Sequence, residues 1–140
     1  MPRAVYSAVF LDPHSHQALL RHFPVPDGHK VLAHHCTLEF RPSDASLDHL
    51  PIGALVSMQV VAHAQDEKGQ AVAVRMHLLG GGPLDSKNDI PHVTISVAPG
   101  TSPVYSNELL KNGSKPAPTV FLSGTVGFFD GRDEVTTPDM

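Results

Sequence analysis

Histidine takes up and releases protons near neutral pH, and this chain carries 10 of them in 140 residues. Two stand in a shared pattern. The stretches Ala33-His34-His35-Cys36-Thr37-Leu38-Glu39-Phe40 and Pro91-His92-Val93-Thr94-Ile95-Ser96-Val97-Ala98 each contain His-x-Thr followed by an apolar residue. Both read as short strands, and period two puts imidazole and hydroxyl on the same face. In the second stretch Val93, Ile95 and Val97 point one way, and His92, Thr94 and Ser96 the other. In the first, Cys36, Leu38 and Phe40 oppose His35, Thr37 and Glu39. Each strand thus offers an apolar face to a core and a chemically equipped face to something else. Were the two equipped faces to meet, one imidazole would take a proton from a nucleophile while the other gave one to a leaving group. The hydroxyls would donate to whatever negative charge builds up between them. A single copy of so short a motif is weak; a pair, both on strands, carries more weight.

The elements that must position these residues follow from propensity and punctuation. Residues 4–11 (AVYSAVFL) read as a buried strand. Asp12-Pro13 is a good N-cap and first helical residue, and Ala18, Leu19 and Phe23 have helical spacing, which predicts a helix over 13–23. Pro24, Pro26 and Gly28 end it, and Val31–Phe40 is the first motif strand. Residues 41–53 are a surface connection with room for one helical turn. Residues 55–64 and 71–79, joined through 65–70, are the clearest hairpin. Gly80-Gly81-Gly82-Pro83 breaks it, and 84–89 is a polar loop into the second motif strand, which Pro99-Gly100 ends. Thr101-Ser102-Pro103 opens a short helix through Leu110, and Asn112-Gly113 stops it. A last strand covers 119–128, and 130–140 is expected to be a flexible tail. The order is β-α-β, β-β, β-α-β: a single α+β domain over 1–140, with the two motif strands echoing one another.

Composition bounds the rest. The apolar fraction is 41%, the charged fraction 17% and the net charge −4 with neutral histidine. That excludes a broad basic surface gripping a long or double-stranded nucleic acid by its phosphates, but not a pocket for one or two. Trp is absent and aromatics make up 6%, a poor base-stacking platform. One cysteine, Cys36, rules out an internal disulfide and suits a reducing compartment. There is no signal-peptide pattern and no long apolar run; a cytoplasmic or nuclear monomer is expected.

With two His-x-Thr-apolar motifs 57 residues apart on strands of a small α+β chain, the sequence resembles the 2H phosphoesterase superfamily. Within it the chain is most similar to the cyclic-phosphodiesterase domains of fungal and plant tRNA ligases and related RNA-repair proteins, an impression carried by residues 98–107 (APGTSPVYSN) after the second motif. The resemblance covers most of the chain in element order and is specific only at the motifs. It implies a bilobal, pseudo-two-fold fold with two antiparallel sheets lining a central cleft and helices outside. It implies metal-independent opening of a 2′,3′-cyclic phosphate on a nucleotide or RNA end, without a cofactor. His35 and His92 would be general base and acid, in an order left open, with Thr37 and Thr94 on the phosphate oxygens.

Other residues have blander readings. His34 falls on the face opposite His35 and reads as packing or as a residue that supports the site from behind. His14, His16, His22 and His29 read as surface histidines around the first helix; a histidine-bound metal is the alternative, but no Cys or acidic ligand follows at tight spacing. Cys36 lies on the core side as inert packing. Glu39 shares the site face, near its end. Gly80-Gly81-Gly82 lacks the Lys-Ser/Thr of a phosphate loop. Tyr105, Ser102 and Lys87 flank the second motif as possible substrate contacts. Arg21, Lys30, Arg75 and Lys111 are candidate charges with nothing to choose between them. The competing function is a binding module that holds a phosphate, nucleotide or RNA end in the same cleft without chemistry.

Overall fold

The computed structural model describes residues 4–137. Strand β1 (Tyr6–Leu11) is followed directly by helix α1 (Pro13–His22), where the Asp12 carboxylate accepts from the Ser15 amide at 2.7 Å, the capping bond expected of it. The expected strand over 31–40 is split into β2 (Lys30–Val31) and β3 (His35–Phe40). The helical turn allowed for in 41–53 is α2 (Asp44–Asp48), capped by Ser43. The hairpin is β4 (Leu55–Gln65) and β5 (Gly69–Leu78). Its turn is tighter than expected because the Asp66 carboxylate accepts from the amides of both Lys68 and Gly69. A two-residue strand, β6 (Pro83–Leu84), pairs with β5 just after the glycines, and β7 (His92–Val97) is the second motif strand.

A 3-10 turn (Pro103–Tyr105) leads into α3 (Ser106–Gly113). Strand β8 (Lys115–Phe129) begins at Lys115 rather than Thr119 and runs through Pro116 and Pro118. Proline cannot donate to a ladder. Here the β4–β8 register is interrupted between Val60 and Ala62, so Pro118 falls where regular pairing has lapsed and Pro116 where it resumes, opposite Ala62. The tail read as flexible contains β9 (Glu134–Val135), paired with Phe128 and Phe129 of β8. Residues 138–140 lie outside the described residues.

All pairings are antiparallel. They run β7-β3-β1-β8-β4-β5 and close, because β5 also pairs with β7. The two sheets of a bilobal fold are therefore replaced by one closed six-stranded barrel, with β2, β6 and β9 as short extensions. The reason lies in β5: its register with β7, from Gly69 opposite Val97 to Ala73 opposite His92, joins what would be two sheet edges. The sheet carries most of the structure, and the helices are few and short.

The main core is apolar side chains from every barrel strand, among them Val9, Cys36, Leu38, Met58, Val72, Val93, Ile95 and Val126, with Leu19 of α1 and Phe23 at its C-cap. A smaller cluster forms where α3 lays Leu109 and Leu110 over Ala64, Ala71 and Ala73. Alanine on that face lets the helix approach, and β5 is buried on both sides as a result. Gly124 is required by contact: a Cβ there would sit 2.5 Å from the Phe10 carbonyl oxygen on β1.

Candidate active site

The two motif strands lie side by side in the barrel wall, with Cys36 opposite Val93. In an antiparallel pair this register sets Thr37 beside His92 and His35 on the side of Thr94. In each motif the histidine stands one residue before that pair and the threonine one residue after it. Cys36 and Val93 are both fully buried in the core. The histidines and threonines take the opposite face, and all four line one cavity of about 210 Å³.

The chain reaches this arrangement through a break. Ala33 has a left-handed φ of 57°. Its amide donates to the Thr94 carbonyl at 2.9 Å, whereas the next residue in register with β7 is Cys36, opposite Val93. His34 and His35 are thus extra residues on the β7 side, an enlarged bulge. The His16 ring, through Nδ1, holds the Ala33 carbonyl at 2.8 Å from α1. The bulge overturns the expectation for His34, which does not face away from His35. Its Nδ1 lies 2.6 Å from the His35 Nδ1, the rings stack at 4.6 Å, and His34 lines the cavity.

A second irregularity moves Phe40. The β1–β3 register slips between Ser7 and Ala8, which face Glu39 and Thr37 and leave Leu38 unpaired. Alternation is lost there, and Phe40, expected in the core, is 64% exposed on the cavity wall.

His35 is enclosed. Tyr6 stacks on it at 4.8 Å on β1, and Phe10 approaches at 6.1 Å. Burial first, then the neighbouring His34 and His92, pushes its pKa down to about 3. Its imidazole is neutral over the physiological range. His92 is buried too, and its Nδ1 meets the Ile90 carbonyl oxygen at 2.8 Å. A carbonyl only accepts, so the His92 Nδ1 carries the proton and Nε2 is the titrating atom. Burial lowers the His92 pKa while the carbonyl bond raises it, and burial dominates. The Thr94 hydroxyl is 2.8 Å from the Ser106 hydroxyl at the start of α3.

The three suggested substrate contacts do not line this cavity. The Tyr105 hydroxyl donates to the Asp66 carboxylate, and its ring lies under the Lys68 ammonium at 5.6 Å. Ser102 caps the 3-10 turn by accepting from the Val104 amide. Lys87 lines a neighbouring cavity. The positions around the four motif side chains are instead Tyr6, Leu32, His34, Phe40, Asn88, Pro103, Val104 and Asn107. Of these, Asn107 was within reach of sequence reasoning, four positions before Lys111 on the predicted helix. The others depend on non-local pairing. His16 and His29 are more than surface histidines: His29 reaches the Ser96 hydroxyl and the Glu67 carbonyl. Cys36 is inert as expected, its thiol pushed up to about 12 by burial. Among the described residues, no three His, Cys, Asp or Glu side chains cluster as a metal ion would require.

No protein-family model matches the chain, and no curated protein does. Among solved structures it is similar to a chain described as a fungal RNA kinase, with a TM-score of 0.58 at 14% identity over 95% of this chain. The match spans 44% of that protein's chain, so the likeness is one of fold, to part of a larger protein. Among the described residues no helix is long and apolar enough to cross a membrane.

Proposed function

We propose that the protein is a 2H-type phosphodiesterase that opens 2′,3′-cyclic phosphates, with His35 as general base and His92 as general acid. The observation that carries this reading is the convergence of both His-x-Thr pairs on one cavity. In-line displacement at phosphorus needs a proton acceptor on one side and a donor on the other, and two imidazoles lining one cavity supply the two groups. The enclosed, neutral His35 takes a proton from water as the water oxygen bonds to phosphorus. The phosphorus–oxygen bond to the ribose breaks on the far side, and the departing oxygen takes the proton from the Nε2 of protonated His92. Thr37 and Thr94 donate to the non-bridging oxygens, where negative charge grows. In the tautomer this role requires, His34 accepts the Nδ1–H of His35, and the His35 lone pair is on Nε2. The fold shared with part of a fungal RNA kinase is compatible with an RNA end as substrate.

The test is product analysis with EDTA present, using nucleoside 2′,3′-cyclic phosphates and an oligoribonucleotide ending in the same group. Turnover by the wild type should fall by about 10³-fold in His35→Ala and in His92→Ala, the scale of one general acid or base, with melting curves showing both variants folded. Binding without turnover of any substrate would replace the enzyme with a binding module.

A further inference from the structure

Beside the histidine cavity lies a second one of about 230 Å³, lined by Lys87, Asn88, Asp89, Ile90, Asn107 and Lys111. Asn88 and Asn107 line both cavities. The two hollows are therefore neighbours, with Asn88 and Asn107 at their common boundary. No lysine or arginine lines the first hollow; the second has two lysines.

Both walls of the second hollow are tied to the threonines of the first. On one side the loop carrying Lys87 and Asn88 is latched to β3. The Ser86 hydroxyl donates to the Thr37 carbonyl at 2.8 Å, the Lys87 amide to the Leu38 carbonyl at 2.7 Å, and the Asn88 amide to the Ser86 hydroxyl at 3.1 Å. On the other side Asn107 and Lys111 are four residues apart on α3, hence on one helix face. That helix starts at Ser106, whose hydroxyl meets the Thr94 hydroxyl at 2.8 Å. The backbone segments that carry the two lysines are thus held at a set offset from Thr37 and Thr94. Lys111 is paired with Asp89 at 3.7 Å, and both side chains are largely exposed. Such an ion pair is worth little in water and is readily exchanged for a stronger anion.

We propose that this second cavity is a subsite for the internucleotide phosphate next to the reacting one, so that the substrate is an oligonucleotide end rather than a mononucleotide. The proposal rests on the phosphodiesterase reading of the first cavity. The terminal cyclic phosphate sits between the histidines, the asparagines contact the intervening ribose or base edge, and Lys87 and Lys111 take the next phosphate. Asp89 opposes that phosphate and holds Lys111 until it arrives.

The experiment compares adenosine 2′,3′-cyclic phosphate with the dinucleotide that ends in the same group, by kcat/KM at low salt. The dinucleotide should be favoured by about tenfold in the wild type, and Lys87→Ala/Lys111→Ala should bring that ratio near one. Asp89→Asn should raise it. A wild-type ratio near one, or a ratio the double lysine variant leaves unchanged, would overturn the subsite. If neither compound is turned over, the phosphodiesterase reading fails instead. The subsite is then judged by calorimetric binding of a 3′-phosphorylated dinucleotide against adenosine 3′-monophosphate, with the same ratio and the same variants deciding.

Discussion

At the scale of single residues, the site is built on two imidazoles in different surroundings. His35 lies between the Tyr6 and His34 rings and is neutral above about pH 3. His92 hangs from a backbone carbonyl and keeps a higher proton affinity than a lone buried ring would. In the proposed reaction the base is ready at any ordinary pH, so the acid governs the profile. His92 must be protonated, and its pKa in the free protein is lowered from 6.5. The value of kcat/KM should therefore be highest in mild acid and fall as pH rises through neutrality, with no acid limb above pH 4 while the protein stays folded. A bound phosphate favours the cation, so the alkaline limb of kcat should lie at higher pH than that of kcat/KM. A rise of kcat/KM from pH 5 to 8 would reverse the two roles. The His34 pKa is lowered first by burial, with the charges of Glu134 on β9, His16 on α1 and Lys30 on β2 acting on it besides, and its ring meets His35 at the start of β3. His34→Phe keeps a ring for the stack and removes the nitrogen partner. It should lower kcat by about tenfold, the value of one hydrogen bond to a group that becomes charged, with little change in KM.

At the scale of elements, the bulge before β3 brings His34 into the site, and Ala33 is where it is most open to test. A left-handed φ costs a residue with a Cβ about 1–2 kcal/mol, yet the Ala33 methyl is fully buried in the core. In Ala33→Gly the relieved strain and the lost methyl, each ~1 kcal/mol, should nearly cancel in a urea melt. Ala33→Val adds a branched side chain to the same φ at a fully buried position, and should cost at least ~2 kcal/mol. A valine variant as stable as the wild type would show that the bulge has been rebuilt. The same two irregularities explain what could be read from the sequence. Period two assigned His35, Thr37, His92 and Thr94 to one face correctly, because His35–Thr37 runs in step with β1 and His92–Thr94 in step with β5, the slip in β7 falling beyond Thr94 at Ile95. It misassigned His34 and Phe40, because each follows a register slip that depends on a partner strand distant in sequence. Ser102 and Tyr105 were sought near the second motif by proximity alone, and the capping bond and the Asp66 carboxylate take them elsewhere. Helix ends marked by Asp12, Ser102 and Pro103 were legible because caps are local chemistry. The pairing of β5 with β7 was not, since nothing local marks which edge a strand will meet.

For the molecule as a whole, burial of neutral histidines sets the response to acid. His35, His92, His34 and His63 all have lowered pKa values with burial the first cause. The unfolded chain then binds more protons than the folded one below about pH 6.5. Their contribution to stability is complete above that value and is lost as pH falls toward the folded-state values, toward about 3 for His35. The denaturant midpoint should be level from pH 8 to 7 and decline from 6.5 to 4.5, with a shallower decline in His35→Asn; a level midpoint throughout would mean that these rings titrate as if solvated. The closed circuit of strands also bears on how the protein behaves in a crowded solution. An open sheet ends in rows of unpaired amides and carbonyls that recruit further chains, and proteins commonly blunt such margins with charge. This chain is only 17% charged and leaves Phe121, Leu55 and Leu79 more than half exposed. Its barrel strands are each paired on both sides, and the strands left at the margins, β2, β6 and β9, are two residues long. Resistance to β-aggregation is thus built into the connectivity of the backbone rather than into surface charge, and it lasts only as long as β5 stays joined to β7.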